Sequence, residues 1–203
     1  LPALLLLAIT SQAQFVDYGS DPARLKWSIV RTNHYKLIYP RGNDSTAYRY
    51  AVFLENAYPR VEKTIGKPMQ LSIPVVLHPN NMRSNGMVAW APRRMELITT
   101  PSSDLYAQNW DRQLAIHESR HVIQTGRLMQ GVFNPLYYVI GEQSAGIAAA
   151  FVPRWFFEGD ATATETALSN CGRGRLPEYS MPFRAHMLSG DDFFSFDKWF
   201  LVS

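Results

Sequence analysis

The chain is expected to fold as an α+β domain, a small, mostly antiparallel sheet followed by a helical half. Two observations predict this. Stretches with strand patterning gather before residue 100, and stretches with helical patterning dominate after residue 110. A hydrophobic content of 46%, with 13% aromatics, is enough for a core in 203 residues. Net charge is only +3 and no basic run occurs, which argues against a nucleic-acid partner.

In order, Leu1 to Ile9 is an apolar run followed by Thr10-Ser-Gln-Ala-Gln-Phe15. It has the form of a secretory leader, with Ser11 and Ala13 at the cleavage point. It is too short to span a bilayer. Residues 1–13 are therefore expected to be a partial signal peptide and 14–203 the domain. The expected location is periplasmic or extracellular. Cys171 is the one cysteine, so no intramolecular disulfide can form.

Asp17 to Lys26 is polar and punctuated by Gly and Pro, a linker. Trp27–Val30 and His34–Tyr39 read as strands, the second with Tyr35, Leu37 and Tyr39 on one face. Asp44 or Ser45 caps a helix through Ala47, Ala51, Leu54, Tyr58 and Val61, which Pro59 should kink or split. Leu71–His78 is a strand whose Pro74 suggests an edge or a bulge. Asn85-Gly86 is a hairpin-turn signal. Met87–Trp90 and Met95–Ile98 follow as strands.

A helix over about 110–126 comes next, with Asp111 suited to its first turn and Gly126 able to end it. Leu136–Phe151 is strongly apolar and is expected to be a buried helix, with Gly141 or Gly146 able to break it. Glu142 and Gln143 inside it argue against a membrane span. Arg154–Ser169 forms another helix and Leu176–Ser189 the last. Arg93-Arg94 and the Arg173/Arg175 pair are expected on a solvated surface. The chain after Gly190 shows no terminus signal, so the domain is expected to be truncated at its C-terminus.

The chemistry lies in His117-Glu118-Ser119-Arg120-His121, of the form H-E-x-x-H. Residues four apart on a helix stack on one face, so both imidazoles can reach one point. Zinc accepts such nitrogens at about 2.0–2.1 Å. Glu118 lies about 100° round the helix, beside that point, where a half-exposed cleft carboxylate can take a proton from water. Leu114, His117, His121 and Gln124 share this side. Catalytic zinc sites use three protein ligands, and Arg154-Trp-Phe-Phe-Glu158-Gly-Asp-Ala161 offers the third.

With these motifs the chain resembles the gluzincin zinc metallopeptidases, especially the peptidase MA-like domains and the aminopeptidase N family. H-E-x-x-H followed on a second helix by W-x-x-E-G-x-A carries the resemblance, over roughly Met87 to Leu168. It implies a thermolysin-like catalytic fold with the zinc site between sheet and helices, and Glu158 as third ligand. The spacing from His121 to Glu158 is longer than in aminopeptidase N. Asp160 points elsewhere, while Thr162 and Glu165 are candidates to support the ligands from behind. The Met95-Glu96 pair is similar to the family's amine-anchoring strand motif, making Glu96 a candidate substrate contact, though the motif's Gly and Asn are absent. The family's oxyanion tyrosine has no matching motif here, and Tyr179 is one candidate. The expected function is zinc-dependent hydrolysis of a peptide or protein outside the cytoplasm, with Glu118 as the catalytic base. The alternative is a non-catalytic, metal-containing binding or assembly module of a larger exported protein, because similar domains are fused to a β-propeller. A third possibility is a small-molecule or lipid-binding domain using the apolar 136–151 segment.

Overall fold

The computed structural model describes residues 21–66, 72–102 and 108–190. The expected leader and the stretch beyond Gly190 lie outside these residues. The class is α+β: a five-stranded sheet comes first and helices follow. The strands are β1 (Trp27–Arg31), β2 (Tyr35–Pro40), β3 (Ile73–His78), β4 (Gly86–Ala89) and β5 (Arg94–Ile98), in spatial order β1-β2-β3-β5-β4.

The sheet is mixed, which corrects the expectation of a mostly antiparallel one. β1·β2 and β4·β5 are antiparallel, but β2·β3 and β3·β5 are parallel. Helix α1 (Asp44–Lys63) is the reason for the first parallel pair. Parallel neighbours need a long crossover, and a helix of this length returns the chain to the same end of the sheet. Pro59 sits inside α1 without splitting it.

Pro74 also departs from expectation, because β3 is the central strand. The Ile73 amide donates to the His34 carbonyl beside β2. Pro74 therefore faces the other side, where β5 pairs only from Val75 onward. The missing N–H falls where no ladder bond is needed. Asn85-Gly86 opens β4 instead of turning a hairpin; the β4–β5 turn is Trp90–Arg93.

The helices are α2 (Trp110–Leu128), α3 (Asn134–Ile140), α4 (Ser144–Ala150), α5 (Arg154–Leu168) and α6 (Pro177–Ser189). Helix α2 runs past Gly126, which is buried inside it. It packs against α1 on one side and α5 on the other, and touches β4. Tyr35, Leu37, Leu54, Val75, Leu97, Ile116 and Ile123 belong to the core between sheet, α1 and α2.

The apolar 136–151 stretch is not a buried helix. It breaks at Gly141, which has φ +64°, into α3 and α4 joined by a 3-10 turn. Tyr138 and Val139 are 82% and 79% exposed. A left-handed residue interrupts the helix, so its apolar side chains cannot form one continuous face against the core. Helix α6 likewise buries no residue. No helix of the described residues is long and apolar enough to cross a membrane.

Candidate metal centre

Both histidines sit on α2, which is buried along most of its length, with Ala115, Ile116, Ser119, Val122 and Ile123 buried beside them. Ser119, inside the motif, pairs with the Tyr35 hydroxyl at 3.0 Å and ties α2 to β2. Helix α5 lies alongside and presents Glu158 from its second turn.

The three predicted ligands converge. His117 Nε2 and His121 Nε2 are 3.2 Å apart. Glu158 Oε2 lies 3.5 Å from the first and 3.7 Å from the second. Donors on tetrahedral corners about 2.0–2.1 Å from one centre stand about 3.3–3.4 Å apart. The donor set and its spacing could therefore hold a metal ion. The two imidazoles beside it hold the Glu158 carboxyl well below the usual range. Burial works to lower the His117 pKa, but bonds to Glu158 and Glu165 outweigh it and push it up to about 9. Glu158 and Glu165 thus face this imidazole from its two nitrogens.

Glu118 corrects the expectation of a half-exposed carboxylate. It is 3% exposed, and its Oε2 has no hydrogen-bond partner among the described residues. Burial raises its pKa against the pull of the two histidines. Gly86 at the start of β4 makes room for it. A Cβ there would lie 2.6 Å from Glu118 Oε1 and 2.8 Å from its Cγ and Cδ. Motif reading identifies Glu118 but not Gly86, whose only sequence signal is the Asn-Gly pair.

A cavity of about 700 Å³ opens onto these groups. Its walls include Asn85–Val88 from the β4 edge, Trp110, Arg154 and Phe157. Glu96 is not on them. It pairs with Arg94, with His78 Nε2 at 3.7 Å, so the structure does not bring it to the site. Tyr179, on α6 and exposed, is not on them either.

Around the ligands, Glu165 stands where expected. It is fully buried, with Oε2 3.2 Å from His117 Nδ1. No hydrogen bond joins the Thr162 side chain to the ligands; its carbonyl accepts from Thr166. Arg173 is not the surface residue its sequence context suggests. Its Nε donates to Glu165 at 2.7 Å, and its Nη2 lies 2.7 Å from His117 Nδ1. Gly172 permits this approach, since a Cβ there would collide with the Thr166 backbone. Arg94 is bound to Glu96, and Arg93 lies 5.5 Å from the Trp90 ring centre. On the other histidine, His121 Nδ1 meets Gln124 Oε1 at 2.8 Å, and Gln124 Nε2 donates to Asp160 at 2.6 Å. Asp160 thus avoids the histidines, as expected, yet touches one through Gln124.

No family model, curated protein or solved structure matches the chain.

Proposed function

We propose that this chain is a zinc-dependent hydrolase of peptide bonds. His117, His121 and Glu158 hold the metal and Glu118 is the general base. One observation carries the reading: three donors converge at tetrahedral spacing beside a buried carboxylate with an unpartnered oxygen on the same cavity. Bound zinc supplies Lewis acidity and makes a water more acidic.

The chain's own residues do the rest. Glu118 accepts a proton from the attacking water and returns it to the leaving amine. Its raised pKa brings it closer to the range suited to both roles. Glu165 and Gln124 hold the outer nitrogens of the imidazoles, so the inner ones face one point. Phe157, Trp110 and the β4 edge wall the cavity in which the substrate would lie. A cavity of about 700 Å³ matches the size of ordinary ligand pockets. The choice of a peptide substrate follows the resemblance to gluzincins.

A mixed peptide library read by mass spectrometry tests this. New termini should appear with the zinc-loaded wild type and fade with Glu118→Gln. If both forms hold zinc and both are inert, a non-catalytic binding module is the better account.

A further inference from the structure

The two histidines are held at their outer nitrogens by different logic. His117 Nδ1 faces an acceptor, Glu165 Oε2 at 3.2 Å, and a donor, Arg173 Nη2 at 2.7 Å. Its neighbours alone therefore do not select a tautomer. His121 Nδ1 meets one partner, Gln124 Oε1 at 2.8 Å. An amide can be turned over, so which of its ends faces the ring must come from the surrounding network.

That network has one solution. The far end of Gln124 is 3.1 Å from the Phe157 carbonyl and 2.6 Å from Asp160 Oδ2. Both are acceptors, so that end must be the NH₂ group. Asp160 is kept an ionised acceptor by Arg120. The guanidinium donates from Nε at 2.6 Å and from Nη2 at 2.8 Å, and its Nη1 reaches Thr64 Oγ1 at 2.5 Å. Gln124 then presents only its oxygen to His121. An oxygen of this kind cannot donate, so Nδ1 must carry the hydrogen. A neutral imidazole protonated at Nδ1 has its lone pair on Nε2, the nitrogen 3.2 Å from His117 Nε2 and 3.7 Å from Glu158 Oε2.

We infer that Gln124 is a positioning residue that sets the tautomer of His121, and that Phe157 O and Asp160 fix the orientation of Gln124. Arg120 braces Asp160 from behind but does not itself touch Gln124. The lone pair is aimed before any metal arrives. This rests on the metal-site reading for its purpose, but its first test does not.

The test is nitrogen NMR of the histidine rings in metal-free protein, at a pH where His121 is neutral. The wild type should show His121 protonated at Nδ1. Gln124→Met removes the acceptor, and the signal should move toward the Nε2-protonated form. Arg120→Met breaks the ion pair but leaves Phe157 O and Asp160 to orient Gln124. It should lower the melting temperature while the His121 tautomer stays. That separates positioning from general support of the fold. Zinc titration follows: affinity should fall about 10–100-fold in Gln124→Met, the usual cost of losing an outer partner of a metal ligand. A wild type protonated at Nε2, or an unchanged tautomer in Gln124→Met, overturns the inference. A wild type with the expected tautomer that takes up no zinc overturns the metal reading and leaves the inference standing.

Discussion

Zinc binding should release a proton at a pH where ordinary histidine has none to lose. In the metal-free protein His117 is pushed up to about 9, because the bonds to Glu158 and Glu165 outweigh its burial. A metal needs the neutral ring, so binding must displace the proton. At pH 8 a group with this pKa is about 90% protonated, whereas an unperturbed histidine near 6.5 is only about 3% protonated. Loading zinc at pH 8 should therefore release at least about 0.9 proton per chain. The assay is calorimetric titration in buffers of different ionisation enthalpy, where the slope gives the number of protons. Affinity should also fall about tenfold for each pH unit below 9. Glu165→Gln removes one anionic partner and should lower both quantities. The sign for stability follows from the raised folded pKa. The contribution of His117 to metal-free stability is fully present below about 6.5 and is lost as pH rises through about 9. Release near zero at pH 8 would refute the claim that two carboxylates dominate His117.

Other perturbations have distinct signatures. Glu118→Gln should keep zinc and cut hydrolysis about 10²–10⁴-fold, and thermal melting should show no loss of stability because a buried carboxylate whose Oε2 has no hydrogen-bond partner among the described residues is removed. Glu158→Gln should instead weaken zinc, with activity falling in step, as metal analysis after dialysis would show. Gly86→Ala places a Cβ against Glu118, so activity should drop while metal content stays; full activity would show that the carboxylate has room to move. Asp160 is held below the usual carboxylate range, so its contribution is present above about pH 4 and lost as pH falls below it. Acid melting of Asp160→Asn should accordingly be less steep than that of the wild type.

Much of the candidate site is legible in the sequence because its spacing is local. Two histidines four apart meet on any helix, and a carboxylate beside the first takes its place by the same geometry. Glu158 is found through a second helical motif, and Glu165 follows two turns later on the same face. The alternation of Tyr35, Leu37 and Tyr39 places β2 for a similar reason, and the structure buries all three.

What the tertiary structure decided is what no local period encodes. Strand direction depends on how α1 carries the chain over the sheet, so the parallel pairings are set by a connection and not by strand residues. Exposure of the apolar 136–151 stretch depends on one left-handed glycine and on what packs nearby. Gly86 reads as a turn residue until β4 is laid against Glu118. Arg173 reads as surface until a turn folds it back onto α5. Gln124 and Asp160 are 36 residues apart in the chain and become one hydrogen-bonded unit only when α2 and α5 pack. The sequence alone supplies the donors that could hold a metal, since helical geometry aligns them. Their protonation and the burial of the base come from groups brought close by packing, because hydrogen bonds and desolvation act through space over a few ångströms, whatever the distance along the chain.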